Sequence, residues 1–90
     1  MSSGLVIIRF KAIKDAEKLL VFLSRDNPGL LSDDTDGDLI IWSRTPIVIS
    51  KMAVQYGYDD DENEELWTTF EPDIIRAEAI KREEETILVR

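Results

Sequence analysis

Apolar residues alternate with other residues at the start of the chain and then recur at a helical spacing. Residues 5–13 predict a strand, and residues 14–26 predict a helix with a single apolar stripe. The strand's expected core face, at a period of two, is Val6, Ile8, Phe10 and Ala12. The Asn-Pro-Gly at 27–29 predicts the end of the helix, because proline breaks the backbone ladder and glycine accepts a positive φ.

A polar connector that contains glycine separates the next two apolar segments. Residues 30–31 and 39–42 favour strands, and the connector between them predicts a hairpin. Residues 32–43 also have part of the spacing of a calcium-binding loop. Serine occupies its first and twelfth positions, however, where such a loop needs carboxylates. We therefore predict a hairpin turn here and no metal site.

Thr45 and Pro46 indicate the start of a second helix. A threonine side chain can accept a hydrogen bond from a free backbone N–H group, and a proline at the first helical position has no N–H to leave unpaired. The helix is expected to run to Tyr56 and to stop at Gly57. Its inward side chains are predicted to be Val48, Ile49, Met52, Ala53 and Tyr56.

The last third of the chain gives mixed signals. Leu66, Trp67 and Phe70 have helical spacing, although the neighbouring threonines favour a strand. Residues 72–84 are compatible with either a helix or a strand, and residues 86–90 favour a strand. Residues 1–90 therefore predict one small α+β domain with an antiparallel or mixed sheet packed by two helices. A ferredoxin-like βαββαβ order with an irregular C-terminal third is one form of it.

Negative charge is concentrated in the second half of the chain. The 90 residues carry 19 acids and 11 bases, a net charge of −8. Residues 1–45 contribute −1 of this charge and residues 46–90 contribute −7. Such a field repels phosphate backbones and attracts basic surfaces. We therefore predict no direct binding to nucleic acid, and a basic protein as the partner.

The densest acidic stretch, residues 59–65, has six acids in seven positions. The surrounding segment 57–65 is predicted to be a loop or the start of a helix. It reads as a solvated loop, as a docking surface for a basic partner, or as a mimic of nucleic-acid phosphates, since carboxylates at i and i+4 lie about 6 Å apart. The predicted partner-binding residues are Asp59, Asp60, Asp61, Glu62, Glu64, Glu65, Trp67 and Phe70. A secondary acidic surface is predicted at Asp33, Asp34, Asp36 and Asp38.

Trp67 and Phe70 follow the acids directly, so two roles are open to them. Aromatic residues beside a charged rim are typical of binding hot spots. A domain of 90 residues also needs its large side chains in the core, which is the alternative.

The composition offers little catalytic chemistry. Histidine and cysteine are absent from the sequence, which removes the commonest nucleophiles, general bases and transition-metal ligands. The four glycines form no phosphate-binding motif. We therefore predict that the protein is not an enzyme and uses no cofactor. The lack of cysteine, of an export signal and of a long apolar run predicts a cytoplasmic protein that does not enter a membrane.

Two functions follow from these features. The leading hypothesis is a small acidic protein-binding module, an inhibitor or adaptor that docks on a basic surface, and a viral inhibitor would suit this size and charge. The alternative is an assembly protein that forms a homodimer through an open sheet face with Leu5 and Ile7 at its centre.

Overall fold

Seven strands and three helices follow one another in residues 4–59 and 63–90, which the computed structural model describes. The first half contains β1 (Val6–Phe10), α1 (Ala16–Asp26), β2 (Leu31–Thr35), β3 (Asp38–Ser43) and β4 (Ile47–Ser50). The second half contains α2 (Lys51–Gly57), α3 (Glu64–Thr69), β5 (Asp73–Arg76), β6 (Ile80–Arg82) and β7 (Thr86–Val89).

The strands form two antiparallel sheets. A four-stranded sheet has the order β2–β3–β1–β5, and a three-stranded sheet has the order β4–β7–β6. The predicted α+β class is confirmed, and the strands are divided between two sheets instead of forming one. The division arises because β4 leaves the first sheet after β3 and pairs with β7, the last strand of the chain.

The core lies between the two sheets and the helices. The alternation predicted for the first strand is confirmed for Val6, Ile8 and Phe10, which are buried. Ala12 departs from it: the residue is exposed and has a φ of 51°, because the chain turns after β1. The remaining buried apolar residues are Leu19, Leu23, Leu39, Ile41, Ile47, Ile49, Ala53, Val54, Trp67, Ile87 and Val89.

The first helix agrees with the predicted range. Asp15 caps its start by accepting a hydrogen bond from the Lys18 N–H group at 3.0 Å. The helix packs closely on α2. A Cβ atom at Gly57 would lie 2.9 Å from the Leu19 Cβ atom, so this contact requires a residue without a side chain.

The second helix begins later than the sequence predicts. Residues 47–50 form β4, and the helix starts at Lys51 with Ser50 as its cap. The prediction from Thr45 and Pro46 was wrong because three β-branched residues, Ile-Val-Ile, find a partner strand in β7. Of the predicted inward residues, Ile49 and Ala53 are buried, whereas Met52 is exposed.

Strand pairing determines the secondary structure of the last third of the chain, where the sequence signals are mixed. Leu66 and Trp67 lie in α3, and Phe70 follows as its C-terminal cap. Residues 73–76 and 80–82 are strands, because β5 pairs with β1 and β6 pairs with β7. The strand predicted for residues 86–90 is confirmed as β7.

Asn27 joins the end of α1 to the edge of the second sheet. Its Nδ2 donates to the carbonyl oxygens of Leu23 and Val48, both at 2.8 Å, and its Oδ1 accepts from the Val48 N–H group at 2.7 Å. Because β4 is an edge strand, the outward peptide groups of Val48 face no neighbouring strand. The Asn27 amide takes the place of that strand.

Replacing Asn27 tests this junction. Asn27→Ala is expected to lower the free energy of unfolding by about 2–4 kcal/mol, because it leaves the Val48 N–H and C=O groups unpaired in a partly buried position. Urea unfolding measures the effect. Ser24→Ala, at an exposed position of α1, is the control and should change stability by less than about 0.5 kcal/mol. Equal effects of the two substitutions would contradict the role assigned to Asn27.

Candidate protein-binding site

The short helix α3 presents the last two acids of the acidic stretch, Glu64 and Glu65. Asn63 caps the helix by accepting from the Leu66 N–H group at 2.9 Å, and the Gln55 side chain of α2 donates to the Asn63 carbonyl oxygen at 3.0 Å. Glu64 and Glu65 are exposed in the first turn, where the helix dipole favours carboxylates. Asp60, Asp61 and Glu62 lie outside the described residues.

Lys51 fixes the position of the first acid of α3. Its Nζ atom lies 2.5 Å from a carboxylate oxygen of Glu64, and its backbone N–H donates to the Glu85 carbonyl oxygen at 2.9 Å. The Glu64 side chain remains largely exposed, so the ion pair contributes little stability. It places the start of α2, the start of α3 and the turn before β7 next to one another.

Trp67 and Arg82 hold the other end of the helix. The Trp67 indole Nε1 donates to the Glu84 carbonyl oxygen at 2.9 Å. The Arg82 guanidinium lies 4.9 Å from the centre of the Trp67 ring and donates to the carbonyl oxygens of Trp67 and Phe70. The Trp67 carbonyl also accepts from the N–H group of the cap residue Phe70 at 3.3 Å, so the guanidinium adds a second donor at the C-terminal end of α3.

The two aromatic residues predicted to bind a partner lie mainly inside the protein. Trp67 is 3% exposed, so its ring offers no face to a partner in this structure. Phe70 is half-buried and stacks on Phe10, with 5.8 Å between the ring centres. Both pack here because a small domain buries its largest apolar side chains first. They anchor the helix that carries the acids.

Three acids that the sequence analysis did not select lie beside α3. Glu83, Glu84 and Glu85, in the turn between β6 and β7, border a groove of about 480 Å³ that Glu64 also borders. These three acids and the two of α3 form what we call the α3 acidic surface: Glu64, Glu65, Glu83, Glu84 and Glu85. The signal for the second group was the run of three glutamates itself. Its proximity to the first group depends on the pairing of β6 with β7.

The acids of the predicted secondary surface lie on the β2–β3 hairpin. The hairpin is confirmed, with Asp36 and Gly37 at positive φ in its turn. Asp33 and Asp34 are exposed on successive positions of β2 and therefore point to opposite sides of the strand. The Asp33 carboxylate accepts from the Thr35 hydroxyl two residues away at 3.4 Å, whereas the Asp38 carboxylate accepts from the more distant Ala12 N–H group at 3.0 Å.

Tyr58 lies between the hairpin and the acidic stretch. Its hydroxyl donates to the Lys11 carbonyl oxygen at 2.9 Å. Burial raises the pKa of Tyr58, and the nearby Asp38 carboxylate raises it further. The next residue along the chain, Asp59, is exposed at a φ of 55°. Asp38 and the start of the acidic stretch are therefore at the same end of the molecule.

The arrangement is suited to contact with a charged surface. In residues 4–59 and 63–90, no group of three or more carboxylates has the geometry of a metal site. The helices of this described part are all too short or too polar to cross a membrane. The α3 acidic surface offers several carboxylates on an anchored framework, an arrangement that attracts cationic groups.

Comparison with known proteins identifies a fold but no family. No family model matches the chain, and no curated protein matches it. The fold is similar to that of a chain in the structure of a phenol hydroxylase–regulatory protein complex, with a TM-score of 0.63 and 17% sequence identity. The match covers 94% of this chain and 95% of the other, so the two have nearly the same length. At this identity the likeness shows the fold alone.

Removing the Arg82 guanidinium tests the anchoring of α3. Arg82→Met is expected to lower the free energy of unfolding by about 1–3 kcal/mol, because the charged donor to the Trp67 and Phe70 carbonyls is lost. Thermal unfolding followed by Trp fluorescence measures the loss. Lys81→Met on the same strand is the matched control, since the Lys81 side chain is exposed. A loss no larger than that of the control would contradict the proposed anchoring.

The raised pKa of Tyr58 predicts a loss of stability at high pH. The folded state favours the neutral phenol, so this contribution is fully present below the unfolded value of 10.0 and is lost as pH rises through the folded pKa. Tyr58→Phe should therefore reduce the fall in unfolding free energy above pH 10, as urea titrations at a series of pH values would show. Tyr56→Phe is the control. An unchanged alkaline loss in Tyr58→Phe would contradict the assignment.

Proposed function

We propose that the protein is a small regulatory protein that acts by binding a partner protein, and that the partner is a hydroxylase. The observation that carries this proposal is the shared fold with a chain of a hydroxylase–regulatory protein complex over nearly the full length of both chains. The 90 residues and the matched chain are nearly equal in length, so the likeness covers a whole small domain and not a fragment of one. The lack of histidine and cysteine supports a role without catalysis.

We further propose that the α3 acidic surface docks on a basic surface of the partner. Its position is fixed by the Asn63 cap, by the Lys51–Glu64 ion pair and by the Arg82 donors to the last turn of α3. A pre-organised surface loses little conformational entropy when it binds. Its carboxylates would speed encounter and determine orientation more than they would add affinity. Asp59 and the undescribed acids 60–62 extend the same segment of the chain.

Mimicry of nucleic-acid phosphates is a second form of the docking proposal, with a different class of partner. It requires a partner whose basic surface also binds DNA or RNA. A mimic competes with an oligonucleotide for that surface, whereas a hydroxylase regulator does not. An oligonucleotide competitor added to the binding experiment separates the two forms.

Neutralising acids of this segment tests the docking surface. We expect the triple variant Asp59→Asn, Glu64→Gln, Glu65→Gln to lose affinity for the partner by about 10-fold or more at low salt, and by less at high salt, because screening already weakens the wild-type contact. Affinity capture from a lysate of the source cells, eluted with rising salt, identifies the partner. Titration with the purified partner then gives the affinities, and its hydroxylation rate with and without this protein tests regulation.

A matched variant separates the position of the charges from their number. Glu17→Gln, Glu71→Gln, Glu78→Gln removes three exposed acids elsewhere and should leave capture unchanged. Equal affinity of both triple variants for the partner would overturn the docking surface. Capture of a partner whose hydroxylation rate does not respond to the protein would overturn the regulatory role alone.

A further inference from the structure

One face of the four-stranded sheet lies outside the core. The residues of β1 and β3 that alternate with the buried ones are only half-buried, and they include Ile7, Ile40 and Trp42. On the neighbouring β2, Leu31 is 56% exposed. None of these four side chains belongs to the core or to the partly buried apolar residues that pack against it. We call this the open face.

The strand register arranges the open face in rows. Leu31, Trp42 and Ile7 lie side by side across β2, β3 and β1, so the first row is apolar. The next row consists of Asp33, Ile40 and Arg9, an acid and a base on either side of an isoleucine. Directly paired residues of antiparallel strands share one face, which places both rows together.

The charges of the open face balance one another. The open face includes the charged residues Arg9, Asp33 and Asp73. It also includes Arg76, which pairs with Ile7, and Lys11, whose Nζ atom lies 3.5 Å from a carboxylate oxygen of Asp73. Asp38, at the end of β3, is the sixth charged residue and gives three acids and three bases. The chain as a whole has a net charge of −8. The open face is therefore a surface on which two copies can approach without strong repulsion.

From this pattern we propose that the open face is the interface of a homodimer. In the dimer, the open faces of two copies lie against each other. The two-fold axis runs between them, parallel to the strands and over β3. It places β2 of one copy opposite β1 of the other. Leu31 then faces Ile7 of the second copy, and Asp33 faces Arg9. β3 of one copy faces β3 of the other, with Trp42 opposite Trp42 and Ile40 opposite Ile40. Stacked sheets pack with strands within about 30° of each other, so this alignment is a common geometry.

A second copy fits this face better than the basic partner of the α3 acidic surface does. A basic partner gains nothing from a surface with balanced charge, whereas a second copy matches both the apolar row and the charged row. Strands lie about 4.8 Å apart, so β2, β3 and β1 together span roughly 15 Å, and interfaces of this scale are weak. We therefore expect a dimer that dissociates on dilution. The inference does not depend on the proposed function, since α3 packs on the core side of the protein.

The mass of the protein as a function of concentration tests the dimer. Sedimentation equilibrium is expected to move from 10.3 kDa at micromolar concentration toward twice that mass at millimolar concentration. Trp42 would become buried in the dimer, and Trp67 is already buried, so the fluorescence maximum should shift to shorter wavelength over the same range. A mass of 10.3 kDa at every concentration would overturn the proposal.

Charge reversal tests the predicted pair across the two-fold axis. Arg9→Asp and Asp33→Arg should each weaken self-association by 10-fold or more, because each places like charges opposite one another. An equimolar mixture of the two variants should form a heterodimer, since each interface then contains two opposite-charge pairs. Because both variants must be folded to associate, the mixture also excludes misfolding as the cause of the single-variant loss.

Two controls carry the same charge changes away from the open face. Asp34→Arg lies one position from Asp33 on the opposite side of β2, and Lys14→Asp lies before α1. Both should dimerise as the wild type does. Loss of the dimer in the controls as well as in the open-face variants would overturn the proposal, as would open-face variants that dimerise normally or a mixture that stays monomeric.

Discussion

The hydrogen bonds of the Asn27 amide to Val48 are the constraint on which the rest of the structure depends. They satisfy the outward N–H and C=O groups of Val48 in β4 with a side chain from the end of α1, and thereby join the first helix and the second sheet, which pack on one core. Without them, the edge of β4 would have to meet water or another strand. The chain passes from β4 into α2 with no loop between Ser50 and Lys51, so the junction also sets the direction of the second helix.

The geometry of the candidate site depends on contacts from α2 and β6. Gln55 and Lys51 of α2 hold the first turn of α3, and Arg82 of β6 holds the last turn. Each of these contacts joins α3 to a different element, and each uses a polar side chain to satisfy a helix end or to position a carboxylate. The basic residues near the α3 acidic surface, Lys51 and Arg82, therefore act mainly by holding α3 in place through contacts within the protein. The surface keeps its negative character while its backbone is fixed.

The two proposed interaction surfaces rely on different physics. The α3 acidic surface acts through a field that extends over about a Debye length, so salt controls it. The open face has balanced charge and depends on apolar area and on the register of three strands, so salt should affect it much less. A dimer formed through the open face would carry two acidic surfaces. If the partner has two binding sites, the first contact would raise the effective concentration of the second acidic surface, and the dimer would bind more tightly than a monomer.

The sequence by itself determined the α+β class, the core face of β1, the first helix, the hairpin and the excess of acids in the second half, because each depends on local periodicity, turn residues or charge. Only the tertiary structure decided that residues 47–50 form a strand, that Trp67 is buried beneath Arg82, and that Glu83–Glu85 lie beside Glu64. These features depend on β4 and β6 each pairing with β7. A single stretch of sequence contains only one side of such a contact. Where local preference allows either a helix or a strand, pairing with the partner strand therefore determines which one forms.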